Sequence, residues 1–406
     1  MADNIDMLHA GHLLMWSVIA LLGLGVVMVN SAAFTLGGSP VTIESMLMGR
    51  PTVYALGAIG VMWFTSRLDI RRFNARGGLM NPVLWLLGLA IGLCVAALIP
   101  GVGENINGSS RWIRLPLPPP MNVTFQPSEV AKWTLVLAVA WWVSRHAGAM
   151  RSFRRGMLPV MAVVGLIGGL VIVEDLGTAV LIVSVAGIMM LASGAPAWKV
   201  LAPVPLGVAA VAAAIIHSPY RMQRLTGFLD PFADERGAGY HLIQSLVAVG
   251  GGSTAWGLGN GPQKLDYLPA DTTDFLFAVI CEELGLAGAA LVAALFGVLI
   301  WSIHSIVRDC RHPFGQLVGV GVLATIGLQA LMNMAVVTAL VPTKGIALPL
   351  VSAGGTGWIL TAAAVGLVVA TDRLNRVEAE EAGVMTEINA GMVPVVSVSA
   401  SRCDAV

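Results

Sequence analysis

Charge is scarce in this chain. Asp, Glu, Lys and Arg make up only 11% of its residues and hydrophobic types 56%, whereas a soluble globular domain carries about 25% charged residues. That scarcity excludes an ordinary soluble domain. The net charge is zero, which removes the basic footprint a nucleic-acid partner needs. Cysteine is nearly absent: Cys94, Cys281, Cys310 and Cys403 stand apart, without the spacing of a metal cage or a disulfide framework. The seven histidines form no HExxH or comparable ligand pattern, so no protein metal cage is expected. The amino end lacks a basic n-region. Asp3 and Asp6 precede the first apolar run, so it does not read as a cleaved signal peptide. The short alternating strands of a transmembrane barrel are missing as well.

What is present is long apolar runs. Each is near 20 residues, the length that crosses a bilayer as a helix. They predict an all-α polytopic membrane protein with ten transmembrane helices, at about 12–33, 52–66, 81–99, 127–143, 157–173, 176–194, 199–217, 274–303, 315–341 and 348–371. Pro40, Pro51, Pro100, Pro196 and Pro313 fall between these spans, where helix breakers belong. Arg67, Arg71, Arg72 and Arg76 follow span two, and Arg145, Arg151, Arg154 and Arg155 follow span four. Lys199, then Arg308 and Arg311, then Arg373 and Arg376 alternate onto the same side. The positive-inside rule makes that side cytoplasmic, and an even span count puts both termini there.

The opposite side receives the two long irregular connections. One runs over 101–126 and contains Arg111-Trp112-Ile113-Arg114 and a proline run from Pro116 to Pro120. The other, 218–273, is the large extracellular loop between helices seven and eight, far longer than the usual ~4–6 residues. Within it, His241 to Val249 fits a short amphipathic helix at the interface. The expected layout is one integral membrane domain over 1–371, then a cytoplasmic disordered tail over 372–406 with Glu378, Glu380, Glu381 and Glu387.

The chain is organised around Pro269-Ala270-Asp271-Thr272-Thr273-Asp274-Phe275-Leu276-Phe277-Ala278, where a polar stretch meets an apolar one. Asp274 sits at the lip, and Glu282 and Glu283 follow, roughly 12 Å deeper on a helix. Carboxylates in hydrocarbon usually face a water-filled cavity or a partner charge. The topology puts Glu129 and Lys132 in the same outer half, three residues apart and within reach of each other. Lys344 lies in an outer turn, and Arg111, Arg114, Arg221 and Arg224 in outer loops. Both signs of charge thus gather at one depth, which suits an anionic substrate with a chemical step nearby. Blander readings stay open. Asp271 or Asp274 also fits a cap on span eight. Glu129–Lys132 also fits a structural pair, and one of Glu282 and Glu283 a partner for a neighbouring helix. Arg221 and Arg224 also fit solvated or headgroup-facing charges. The glycines from Gly250 to Gly261 lack the Walker pattern and read better as a flexible loop. Ser352-Ala353-Gly354-Gly355 also fits a packing or turn element.

Several motifs taken in order resemble one family. Arg111-Trp112-Ile113, Gln126-Pro127-Ser128-Glu129 with Lys132, and Asp175-Leu176-Gly177-Thr178 come first. Tyr220-Arg221-Met222-Gln223-Arg224, Gly239-Tyr240 with Gln244-Ser245, and Gly257-Leu258-Gly259-Asn260-Gly261 follow. Then come Lys264 to Pro269, Thr273-Asp274-Phe275-Leu276-Phe277-Ala278, Glu282-Glu283-Leu284-Gly285, Pro342-Thr343-Lys344-Gly345 and Ser352-Ala353-Gly354-Gly355. This order resembles the SEDS family (shape, elongation, division, sporulation) over about residues 12–371, its FtsW branch more than its RodA branch. The resemblance implies a peptidoglycan glycosyltransferase. It would polymerise lipid II on the outer face of the bacterial cytoplasmic membrane, for division or cell shape. It would act beside a class B penicillin-binding protein and other divisome or elongasome membrane proteins. The family's essential aspartate maps onto Asp274, expected as general base in an inverting transfer from an undecaprenyl-diphosphate-linked donor. Arg111, Glu129, Lys132, Arg221, Arg224, Lys344 and Ser352 are expected to bind substrate, and Glu282, Glu283 and Asp271 to support the site. A divalent cation, Mg or Mn, is expected with the pyrophosphate, and no organic cofactor. The chain departs from the family pattern in Ala270-Asp271-Thr272-Thr273-Asp274, where many members have Glu-Ala-His-Thr-Asp. Ala353 replaces a tyrosine, and His241 a common glutamine. A lipid-linked sugar flippase and an inactive division scaffold are the alternative functions.

Overall fold

The computed structural model describes residues 9–32, 43–75, 80–106, 109–114, 124–252, 273–343, 345–353 and 355–389. Its helices are α1 Ala10–Ala32, α2 Ile43–Leu47, α3 Arg50–Ser66, α4 Arg71–Ala75, α5 Pro82–Leu98, α6 Pro127–Arg145, α7 Leu158–Glu174, α8 Leu176–Ala192, α9 Ala197–Leu201, α10 Val204–Ile216, α11 Pro219–Leu229, α12 Tyr240–Gly251, α13 Leu276–Asp309, α14 Pro313–Val337 and α15 Thr356–Asn389. Among the described residues, six helical stretches are long and apolar enough to cross a membrane. They are Ala10–Ala32, Phe153–Val173, Ala197–Ile216, Leu276–Asp309, Pro313–Val337 and Thr356–Glu381. Pro82–Leu98 and Leu176–Ala192 are apolar but shorter.

Local chemistry explains many helix starts. Proline opens α3, α5, α6 and α14, where its missing N–H has no intrahelical partner to lose. Asn81 caps α5 by accepting from Val83 N at 2.8 Å. Asp175, extended at φ −139°, alone separates α7 from α8 and caps α8 by accepting from Thr178 N at 3.0 Å. The two helices then pack against each other. The interior forms where α1, α6, α8, α13, α14 and α15 meet, through residues such as Leu14, Leu21, Val136, Ile182, Phe296, Val322 and Val365. Small residues allow the closest crossings. A β carbon on Gly366 of α15 would overlap Thr65 Oγ1 of α3 and lie 2.5 Å from Met62 O.

The long helix α13 is broken. Gly285 adopts φ 62°, ψ −157°, a region essentially closed to residues with a β carbon. It separates a short segment, 276–284, from the longer remainder. The end of α12 packs into this break: a β carbon on Gly252 would overlap the Cys281 carbonyl and lie 3.2 Å from Gly285 Cα.

Three expectations need correction. The last span begins at Thr356 rather than 348, because Leu350 takes a left-handed φ of 62° and side chains hold the backbone of 346–348 in a non-helical path. The segment expected to be disordered from 372 is helical through Asn389. Its alanines and glutamates between Val377 and Ala382 favour helix, and Glu378 pairs with Arg71 at 2.7 Å; residues 390–406 lie outside the described residues. The connection over 101–126, expected to be irregular, contains a three-stranded antiparallel sheet of β1 Gly103–Ile106, β2 Ser109–Arg114 and β3 Thr124–Phe125, in that order. Ile113 faces both Gly103 and Phe125 in its register. The proline run from Pro116 to Pro120 lies outside the described residues. The helix expected over His241 to Val249 lies within α12.

Candidate functional site

The site starts at the first turn of α6. Pro127 begins the helix, so Glu129 falls where the helix dipole favours an anion and Lys132 lies on the same face. Lys132 Nζ is 2.9 Å from both Glu129 carboxylate oxygens and 3.0 Å from Gln329 Oε1 on α14. The lysine side chain is 2% exposed and the glutamate side chain 17%. An ammonium has three donors, and three acceptors close around this one. That satisfaction offsets the desolvation of a buried charge. The lysine charge is thereby spent on holding Glu129 and Gln329.

Gln329 continues the network by donating Nε2 to Ala347 O at 3.0 Å. One turn on, Asn333 donates Nδ2 to Asp274 O and to Ile346 O, both at 2.8 Å. A single helix face thus touches the start of α6, the segment 345–353 and the turn that carries Asp274.

Asp274 lies in the turn Thr273–Phe275 just before α13, half-buried. Its residue lines a deep cavity of about 300 Å³ together with Trp112, Glu129, Lys132, Asp175, Thr178, Gln329, Ser352 and Trp358. The same residue lines a second cavity of about 420 Å³, built by α11, α12 and the turn Pro231–Asp234, with Tyr220, Gln223, Arg224, Asp234, His241 and Thr343. Asp274 therefore stands where the two meet. In the second cavity the Arg224 guanidinium lies 4.5 Å from the centre of the Tyr220 ring. His241 stacks on Phe275, with ring centres 6.1 Å apart and planes at 18°. Burial, and then the Arg224 charge, hold the His241 imidazole below its ordinary pKa of 6.5, so it is neutral near pH 7.

The other residues singled out from the sequence fall in several places. Ser352 lines the deep cavity, but its hydroxyl accepts from Leu348 N at 3.0 Å and its carbonyl accepts from Trp358 Nε1 at 2.7 Å. Arg221 lines neither cavity. Its guanidinium donates to Ala214 O at 3.2 Å, Ile172 O at 2.9 Å and Val173 O at 2.8 Å, tying the ends of α7 and α10. Glu282 and Glu283 are buried and line neither cavity. Glu283 accepts from Ser31 Oγ of α1 at 2.9 and 2.8 Å, which pins the short segment before Gly285. Arg114 is exposed on β2. Arg111 lies on the same strand and its side chain is outside the described residues, as are Asp271 and Lys344. Gln329, Asn333, Asp175 and Thr178 were not singled out as site residues. The signal for the first two is two amides four residues apart in an apolar span, a polar stripe that hydrocarbon would not tolerate unpartnered. Among the described residues, no group of three His, Cys, Asp or Glu side chains is placed to hold a metal ion.

The model of the family described as cell cycle protein, FtsW/RodA/SpoVE, matches residues 12–377. A probable peptidoglycan glycosyltransferase FtsW from Thioalkalivibrio sulfidiphilus is 39% identical over 364 residues, covering 88% of each chain. Another of the same name from Nitrosococcus halophilus is 41% identical over 369 residues, covering 88% of this chain and 91% of the relative. Among solved structures, a chain from work described as structural coordination of polymerization and crosslinking by a peptidoglycan synthase complex superposes with TM-score 0.70. It is 26% identical and covers 89% of this chain and 97% of that one. Rod shape determining protein RodA from Thermus thermophilus superposes with TM-score 0.59 at 24% identity, covering 89% of this chain and 95% of that one.

Proposed function

This chain belongs to the SEDS family, in its FtsW branch, and from that premise we propose that it is a peptidoglycan glycosyltransferase of the bacterial cytoplasmic membrane. The observation that carries the reading is Asp274 at the meeting point of two cavities. One lies among the bundle helices and suits the pyrophosphate end of a lipid-attached donor. The other is walled by the loop helices α11 and α12 and suits the sugar of an acceptor.

In this reading Asp274 takes the proton from an acceptor hydroxyl as that oxygen attacks the anomeric carbon of lipid II. The bond from the anomeric carbon to the pyrophosphate breaks, and the pyrophosphate leaves with the electron pair, inverting the centre. Positive charge at the leaving group lowers the barrier. Arg111 and Lys344, whose side chains lie outside the described residues, are the cations proposed for this task. Glu129, fixed by Lys132, and Ser352 shape the same cavity, and Arg224 serves the acceptor side. A divalent cation would arrive with the pyrophosphate and stay on its oxygens; no step above depends on it.

Orientation follows from the distribution of charge. Arg145 donates to Asn74 O at 2.6 Å, Arg71 pairs with Glu378, and Arg373 donates to Arg67 O at 3.0 Å. These contacts lie at the far end of α3, α6 and α15 from the cavities, and basic residues mark the cytoplasmic side. With ten helices crossing, both cavities open outward and both termini lie in the cytoplasm. The likeness to a chain of a peptidoglycan synthase complex supports a class B transpeptidase as partner, within the division or elongation machinery. The test is purified Asp274→Asn given labelled lipid II. Loss of glycan strands with an unchanged melting temperature is expected. Near-normal strand yield would overturn the assignment, and transbilayer movement of lipid II without strands would favour the transporter reading.

A further inference from the structure

We propose that Asn333 is a positioning residue for Asp274. This rests on the reading of Asp274 as the general base. Asn333 is 1% exposed, near the C-terminal end of a mostly apolar helix. A buried amide there needs partners to offset its desolvation. Its partners are the carbonyl of Asp274 and the carbonyl of Ile346, each 2.8 Å from Nδ2. Both amide hydrogens are thereby used, on two residues that line the deep cavity. The Asp274 turn is thus fastened to the rigid helix α14 by its own backbone, and the cavity wall at Ile346 is fastened to the same atom.

This fastening matters for chemistry more than for the fold. Asp274 lies in the turn that precedes α13, outside any strand or helix. A general base works only within hydrogen-bond reach of the proton it takes, and a misplacement of about 1 Å can lower a rate by about 100-fold. Loss of the Asn333 amide leaves the Asp274 carboxylate present while removing this tie on the backbone that carries it. Ser245 supplies the comparison. Its hydroxyl donates to Val337 O at 2.8 Å, a buried bond to the same helix, and Ser245 lines neither cavity.

The experiment measures strand formation from lipid II by purified Asn333→Leu, Asn333→Asp and Ser245→Ala, beside Asp274→Asn. Asn333→Leu is expected to lower kcat about 100-fold with KM for lipid II within about twofold, since binding groups remain in place. Ser245→Ala is expected to lower the melting temperature with kcat unchanged. Asn333→Asp carries a sharper signature. Its carboxylate repels both carbonyls, but once protonated it donates one hydrogen bond again. Its activity relative to the unaltered protein should therefore rise as pH falls. Asp274→Asn without activity, together with Asn333→Leu at near-normal kcat, would overturn the positioning role alone. Active Asp274→Asn would overturn the reading beneath it. If Asn333→Leu fails to fold, a flat pH ratio for Asn333→Asp overturns the proposal and a rising ratio supports it.

Discussion

The pair Glu129–Lys132 allows a prediction in which the two partners are unequal. Both are charged and 2.9 Å apart, but Lys132 is 2% exposed and Glu129 17%. Glu129→Leu strands an ammonium deep in the bundle with Gln329 Oε1 as its remaining acceptor. Removing one partner of a buried pair costs about 3–5 kcal/mol. Lys132→Leu strands a carboxylate that reaches the cavity and sits at a helix N-terminus, where the dipole returns about 0.3–1 kcal/mol. The loss should then be about 1–3 kcal/mol, in the range of an unsatisfied buried group. The double variant removes both charges and should lose only about 1 kcal/mol, since apolar replacement of a whole buried pair is often near neutral. The assay is thermal unfolding of the four proteins in one detergent, analysed as a double-mutant cycle. Equal losses from the two single variants, or a double loss equal to their sum, would refute the picture of a coupled pair with a more deeply buried lysine.

Two further predictions concern residues around the loop. Arg221→Gln should lower stability by about 1.5–3 kcal/mol, because charged hydrogen bonds to the ends of α7 and α10 are lost; thermal unfolding reads this, and the KM for lipid II tells whether the residue also meets substrate. His241 has its folded pKa lowered, so the unfolded state binds the proton more readily. Its stabilising contribution is complete above the ordinary pKa of 6.5 and is lost as pH falls below it. His312 shifts in the same direction at another loop, so the measurement is the difference between the unaltered protein and His241→Phe. That difference should shrink or reverse between pH 7 and pH 5 in melting curves, and a constant difference would argue against burial of a neutral imidazole.

Much of the fold was legible because hydrocarbon imposes long apolar runs, and prolines mark where α5, α6 and α14 begin. The Glu129–Lys132 contact was legible too, since three residues on a helix fix the distance. Other features depended on tertiary contacts that spacing does not encode. Arg221 looked like an anion-binding residue, but where its guanidinium goes depends on how α7 and α10 end. The helix past residue 371 is hidden behind its charge, because its glutamates are also strong helix formers, with Arg71 within reach of Glu378. Asn333 and Gln329 carry no formal charge, the signal that stands out first in an apolar span. In an apolar span an uncharged amide carries nearly the same information, for it too must find partners.

The break at Gly285 joins the loop to the bundle mechanically. Gly252, at the end of α12, presses backbone to backbone against Cys281 and Gly285, seven and eleven residues past Asp274. No side chain stands between them to yield. A companion protein that leaned on the loop would tilt α12, and α12 would lever the stub of α13 with the aspartate at its tip. Contact made at the surface would thereby reach the turn that carries Asp274 without any rearrangement of the rest of the bundle.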